Sequence, residues 1–379
     1  MPSRSLPSWA PLSAAERDRL DENVHRLAAD IRDNGPMPFI DYMERVLYDP
    51  ESGYYSRQAV FGEPGDYITA PTLSPLFGRA LARQCAQVLE HHGGDVIEVG
   101  GGTGHLALDI LTALEPAGPA PDRYWLVERS AGLRERAQAL IAHAAPQWRE
   151  RVHIVAEWPR VKARIILANE LLDALPTTRF RVTADGIRPL HVAASETGLG
   201  FVPGPRDRAL EARLAPLALP VGYESEVTPA SEDWLAGAAE HLDSGLILVI
   251  DYGFPQSEFY HPDRGGGTVM CHFRQHAHPD PLILPGLQDI TAHVDFTALA
   301  RAGARLGLDI AGYTSQAGLL LALGLAEEAP TDLKALQAIK RLTLPHEMGE
   351  LFKAIAFTRN LSIPLRGFAL FDRRHTLGL

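Results

Sequence analysis

Asp95-Val-Ile-Glu-Val-Gly-Gly-Gly-Thr-Gly-His-Leu-Ala-Leu-Asp109 decides the fold. An apolar run closes on Glu98, glycines fall at Gly100, Gly102 and Gly104, and a helical apolar pattern then starts. The pattern E-x-G-x-G-x-G reads as a buried strand, a tight turn and a helix N-terminus. Glycines suit such a turn because a side chain would block a ligand or clash with the backbone. The dinucleotide fingerprint G-x-G-x-x-G does not fit, since counting from Gly100 and Gly102 its third position is His105. The phosphate-cradling P-loop fails too, because no Gly-Lys-Ser/Thr follows. An acid two residues ahead of the first glycine would repel a pyrophosphate. It suits the cationic amino-acid end of S-adenosylmethionine (SAM), so Glu98 joins the glycines as a candidate cofactor residue.

Twenty-four residues past Gly104 stands Tyr124-Trp-Leu-Val-Glu128. An acid at the end of a second strand can accept both hydroxyls of a ribose. Further short apolar runs fit strands at Val152–Ala156, Ile165–Ala168 and Leu246–Asp251, with helical patterns at Leu106–Leu114, Gly132–His143 and Glu232–His241. Strand-helix alternation of this kind implies an α/β fold with a doubly wound parallel sheet. Late strands fit Asp309–Tyr313, Ala354–Thr358 and Phe368–Phe371. Ahead of the glycine loop, Ser13-Ala-Ala-Glu16 has the form of a capping box opening a helix toward Ile31. Met37–Tyr48 and Leu76–His91 read as two more helices, with a loop rich in Gly, Pro and Thr over Gly62–Pro75. Two stretches interrupt the alternation. Thr178–Val227 reads as an inserted antiparallel excursion, and Tyr252–Asp295 as a second insertion dense in Pro, Gly and His.

Ligands of such sheets sit beyond the carboxyl ends of the strands, at the point where strand order reverses. That places Glu98, Glu128, Asn169 and Asp251 on one rim. In Ile165-Ile-Leu-Ala-Asn-Glu-Leu-Leu-Asp-Ala-Leu-Pro176, Asn169 and Glu170 leave the strand where a transferred methyl group would lie. Asp173 follows Glu170 by three residues and would share its face on a helical turn. Two acids so placed can grip a guanidinium through paired hydrogen bonds. The alternative for Asp173 is an ordinary acid at a helix N-terminus, and for Asp251 an ordinary strand-end cap. His272, His276, His278 and His293 have no tight zinc spacing, so no metal is expected. Cys85 falls on an apolar helical face.

A chain of 379 residues buries a large core as one big domain or two smaller ones. Its net charge of -11 argues against nonspecific nucleic-acid binding. Two cysteines, Cys85 and Cys271, are no disulfide framework. No apolar run approaches the roughly 18 residues a membrane span needs. The first 30 residues lack a signal-peptide core and carry Glu16, Asp18, Asp21 and Glu22, which a transit peptide avoids. A cytoplasmic, bacterial protein is expected.

These segments resemble the MidA/NDUFAF7 family of SAM-dependent methyltransferases, the bacterial relatives of a mitochondrial complex I assembly factor. The resemblance runs from Met37 to Phe371. It rests on Pro38–Met43, Gly53–Tyr55, Gly65–Pro71, Phe77–Gly78, Glu98–Ala107 and Val127–Ser130, and most specifically on Ala168–Pro176, Ile250–Gly253 and Asp289–Phe296. Gln316, Leu320 and Met348–Lys353 follow. It implies a class I methyltransferase fold, a Rossmann-like, seven-stranded, mostly parallel sheet, and methylation of an arginine on a protein, a respiratory complex I subunit in the mitochondrial relative. On that resemblance SAM is the cofactor and S-adenosylhomocysteine the product. Gly100, Gly102, Gly104 and Glu128 should contact SAM, with Asn169 beside them. Thr69, Ala70, Pro71 and Phe77 should close over it. Asn169, Glu170 and Asp173 should face the acceptor, with Asp251, Tyr252 and His293 on the acceptor side. Family members commonly carry Ser-Pro-Glu where this chain has Ala70-Pro71-Thr72, so a carboxylate is lost at Thr72. A small-molecule methyltransferase of the same fold and a non-catalytic SAM-binding assembly factor are the competing readings. The expected organisation is an N-terminal helical or lid segment over residues 1–92, then a methyltransferase core over 93–379 with insertions near 178–230 and 254–300. A homodimer is left open.

Overall fold

The apolar runs around the glycine loop become one mixed sheet in the computed structural model, which describes residues 7–56, 69–327 and 332–379. Its seven main strands are β1 (Val96–Val99), β2 (Tyr124–Val127), β3 (Val152–Val155), β4 (Ala163–Asn169), β5 (Leu242–Phe254), β6 (Asp309–Ser315) and β7 (Phe352–Arg359). They lie in the order β6-β7-β5-β4-β1-β2-β3. The first five run parallel, and β7 alone runs antiparallel, between β5 and β6. The two-residue strand Val294–Asp295 extends the end of β5 in parallel. Burial on both faces explains the apolar runs Ile165–Ala168 of β4 and Leu246–Ile250 of β5. Strand order reverses between β1 and β4, so loops leaving those two strands diverge and open a crevice at their carboxyl ends.

Six helices matter to the argument: α1 (Ala14–Asn34), α2 (Phe39–Tyr48), α3 (Ala70–Leu73), α4 (Pro75–His92), α5 (His105–Ala117) and α6 (Ala131–Ala144). The capping box of α1 is present, with the Ser13 side chain accepting from the Glu16 N–H and Glu16 answering the Ser13 N–H. Phe77, Ala80, Leu81, Cys85 and Val88 of α4 and Leu106, Ile110 and Leu111 of α5 form the core over one face of the sheet, together with Leu167, Leu248 and Phe352. That core is the main source of stability here, at roughly 1.5–3 kcal/mol for each fully buried large apolar side chain.

The chain divides into two compact units. One holds α3 onward through 173, then 231–256 and 294–379; the other holds the described residues before 67 with 174–230 and 257–293. The expected 1–92 segment is therefore shared between units, with α1 and α2 in one and α4 in the other. In the second unit, Leu27, Phe39, Tyr42, Met43, Val192, Leu199 and Ile290 share a core. Its larger sheet is antiparallel, built from Met37–Pro38, Thr178–Thr183, Gly186–Ser195, Gly198–Pro203 and Glu224–Val227. The excursion expected at Thr178–Val227 is thus this sheet. A smaller sheet joins Met270–Phe273, His276–His278 and Asp289–Thr291.

Several expected elements differ. Met37 and Pro38 leave the second helix and pair with Val192 and His191, because Pro38 sits as the N-cap and helical geometry starts at Phe39. Phe368–Phe371 is no strand. A single 3-10 turn spans Arg366–Phe368, and the Phe368 ring lies on Gly312 of β6, where a Cβ would come within 2.2 Å of it. Of the expected Gly62–Pro75 loop, residues 62–68 lie outside the described residues, as does the start of the Gly65–Pro71 motif. The remainder forms α3 and the start of α4. Among the described residues, no helix is long and apolar enough to cross a membrane.

Candidate functional site

Strand register assembles the site. Val99 pairs with Val127 on one side and Ala168 on the other, and Ala168 pairs with Val249. The next residues, Gly100, Glu128 and Asn169, therefore lie on one rim where β1, β2 and β4 end, while β5 runs on past Ile250 to Phe254. Gly100 and Gly102 have φ of 73° and 54°, and Gly104 has 83°, all in the left-handed region that favours glycine. A Cβ at Gly100 would lie 2.8 Å from Leu171 Cδ1, whereas one at Gly102 would meet nothing within 4 Å. Gly100 is a packing requirement; Gly102 fronts open space. Helix α5 begins at His105 and turns its first N–H groups toward that rim.

Glu128 closes the loop from β2. One carboxylate oxygen accepts the Gly102 N–H at 3.0 Å, the other the Ser130 N–H at 2.8 Å. Burial raises its pKa, against the pull of those two donors and of Arg134 and Arg129. A carboxylate has about four acceptor positions, so capacity remains for hydroxyl donors.

Asn169 and Glu170 continue the rim from β4. Asn169 Nδ2 donates to Glu170 Oε1 at 3.1 Å, and the same oxygen accepts the Ala70 N–H of α3 at 3.1 Å. Asn169 Oδ1 is buried and has no hydrogen-bond partner among the described residues, which marks it as an acceptor with capacity for a donor. Glu170 has φ 52°. Left-handed backbone at a residue with a side chain costs roughly 1–3 kcal/mol and gathers at functional sites. Asp173 follows, buried, with its N–H donated to Asp251 Oδ2 at 3.3 Å.

Other candidate residues fall elsewhere. Glu98 turns into the core beneath α4 and α5, where the Tyr124 hydroxyl donates to it at 2.6 Å. Burial pushes its carboxyl up to about 8, so at neutral pH it is protonated and offers no negative charge to a cationic amino group. Tyr124 pairs with Val96, two residues before Glu98 on the same face of β1, so the partner was readable from a diagonal strand pair. Asp251 does not project toward an acceptor. It has no exposed surface, and both oxygens are taken by backbone N–H groups. Tyr252 is half-buried, with its ring centroid 3.8 Å from that of Phe352. His293 belongs to the other unit, where its N–H donates to Thr268 Oγ1 at 2.9 Å.

Ala70 and Phe77 are also fully buried and offer a ligand no surface; Phe77 supports α3 and α4 from within the core. Thr69 begins α3 with a reciprocal cap. Its N–H and hydroxyl both reach the Thr72 hydroxyl, at 3.1 and 3.0 Å. Thr72 thus closes a capping box with its hydroxyl. The loop histidines serve packing: His276 and His278 lie against Trp9 with ring centroids 4.3 and 4.7 Å away. Among the described residues no three His, Cys, Asp or Glu side chains group as metal ligands.

The residues present fit SAM. Gly102 opens onto free space, Glu128 offers acceptors beside it, and Asn169 Oδ1 is an orphaned acceptor on the same rim. Comparison with known proteins agrees. A family described as "Putative S-adenosyl-L-methionine-dependent methyltransferase" matches residues 80–314. The crystal structure of a Burkholderia thailandensis protein bound to S-adenosyl-homocysteine is 41% identical, covers 98% of this chain and 100% of that chain, and superposes with a TM-score of 0.92. The protein arginine methyltransferase NDUFAF7 homolog of Drosophila melanogaster is 28% identical over 87% of this chain and 83% of its own. The mouse protein of that name is 29% identical over 76% and 71%. SAM is the cofactor, and the chain belongs to the MidA/NDUFAF7 family of SAM-dependent methyltransferases.

Proposed function

We propose that this methyltransferase acts on an arginine side chain of a protein. When bound, SAM supplies a methyl group on a sulfonium sulfur, which a nucleophile takes by in-line displacement. A guanidinium is a poor nucleophile because its lone pairs are delocalised and its pKa exceeds about 12. The protein must therefore orient it and draw its positive charge away from the attacking nitrogen. The Asn169–Glu170 pair carries this reading. Asn169 Oδ1 is an unpartnered buried acceptor for one N–H, next to the Glu170 carboxylate, whose charge favours the cation and holds it in place. Asp173, three residues on, adds a second carboxyl to the same turn. The names of the Drosophila and mouse relatives support an arginine acceptor.

Glycine-loop backbone and Glu128 are the groups that would hold the cofactor, with Glu128 at its ribose. Glu170 would also be able to receive the proton that an alkylated nitrogen sheds.

The test is Glu170→Gln in the full chain. Transfer of tritiated methyl from SAM to proteins of a cell extract should fall to a small residual rate, while calorimetric SAM affinity stays near that of the wild type. Label recovered in methylarginine after hydrolysis supports the acceptor. Label confined to small molecules, or full turnover by the Gln variant, overturns the proposal.

A further inference from the structure

We infer that Asp251 is a positioning residue for Glu170: a buried carboxylate at the end of β5 that moulds the backbone turn after β4. This rests on the reading of Glu170 given above. Asp251 Oδ2 accepts three successive backbone N–H groups, those of Leu171, Leu172 and Asp173, at 3.1, 2.8 and 3.3 Å. Its Oδ1 accepts the Tyr252 N–H at 2.8 Å. The Glu170 N–H donates to the Ile250 carbonyl at 3.0 Å, one residue before Asp251. Four consecutive N–H groups, 170 through 173, are thus tied to two consecutive residues of β5.

The consequence lies at Glu170 itself. Its φ of 52° departs from the extended backbone of β4 and would relax if the following turn were free. A convergent set of three N–H groups on one carboxyl oxygen fixes the turn. Glu170 then has its carboxylate delivered to Asn169 Nδ2 and the Ala70 N–H. The residue type is required by the count of acceptors. Aspartate supplies two acceptor oxygens for these four donors, whereas asparagine has one oxygen and would set its NH₂ against either Tyr252 or the turn. Being fully buried, Asp251 touches neither substrate nor cofactor and acts through Glu170 alone.

Hydrogen exchange and a double-mutant cycle on the full chain test this. Asp251→Asn should speed exchange of the amides at 171–173 at least about tenfold. The amides of β1 and the calorimetric affinity for S-adenosylhomocysteine should stay unchanged. Methyl transfer should fall by up to about 100-fold in the wild-type background and no further in the Glu170→Gln background. Glu170→Gly should leave exchange at 171–173 as slow as in the wild type, since Asp251 and not the Glu170 side chain holds the turn. Unchanged exchange in D251N, loss of protection throughout the sheet, additive losses of turnover, or fast exchange in E170G would each overturn the inference. Failure of the Glu170 reading shows separately, as full turnover in E170Q alone.

Discussion

Gly102 gives its backbone N–H to the Glu128 carboxylate at 3.0 Å, tying the glycine loop to the end of the neighbouring strand. On the function proposed above, the same carboxylate would receive ribose hydroxyls. Glu128→Ala removes both functions and leaves the Gly102 and Ser130 N–H groups to water. SAM affinity should fall at least tenfold, about 1.4 kcal/mol or more, measured by calorimetry. Affinity within twofold of the wild type would remove Glu128 from the cofactor site.

Neighbouring glycines separate packing from binding. A Cβ at Gly101 would lie 2.4 Å from Leu126 Cγ, which is fully buried on β2, whereas one at Gly102 meets nothing. Gly101→Ala should destabilise the fold by roughly 1–3 kcal/mol through overpacking. Gly102→Arg should cost only the roughly 1–2 kcal/mol of a left-handed φ yet abolish SAM binding, because its side chain fills the space the ligand needs. Thermal denaturation and calorimetry on both variants check this; equal Tm losses with equal binding would refute it.

Glu98 makes stability fall as pH rises. Its folded pKa, about 8, lies above the ordinary 4.5, so the folded chain keeps a proton that the unfolded chain releases in between. The stabilisation is complete below about pH 4.5 and is lost as pH climbs through 8. Asp109 and Asp251, both raised to about 7 by burial, act in the same direction, so the comparison must be between variants. Glu98→Gln keeps an acceptor for the Tyr124 hydroxyl and cannot ionise. Its Tm relative to wild type should rise between pH 5 and 8.5. A constant difference across that range would show that Glu98 does not titrate within it.

What the sequence made legible follows from how local each signal is. β1 and β2 were readable to the residue because both faces are buried and every position is apolar or aromatic, except Glu98. That Glu128 ends the strand following the glycine loop is legible because motif and strand end are fixed in chain order; its hydrogen bond from the Gly102 N–H is not. Asp251 was read as a rim acid, and nothing nearby in sequence shows that its donors come from Leu171–Asp173, some 80 residues earlier. Glu98 turns into the core for a related reason: the glycine pattern signals a ligand, but strand alternation decides which face the carboxyl takes. The strand Gly198–Pro203 was overlooked because Gly198 and Gly200 dilute its pattern, although Leu199 is buried and Phe201 packs beside it.

Because β7 sits between β5 and β6, the strand of this sheet that is made last is an interior one. A chain emerging from the ribosome has already released β5 and β6 before residue 352 exists to bridge them. Until then β6 has no neighbour in the sheet, and one side of β5 presents bare peptide groups and apolar side chains. Synthesis interrupted in this interval exposes a strand edge suited to pairing with other chains. Stop codons introduced between those for residues 315 and 352 are therefore expected to yield aggregates rather than shortened, partly active protein.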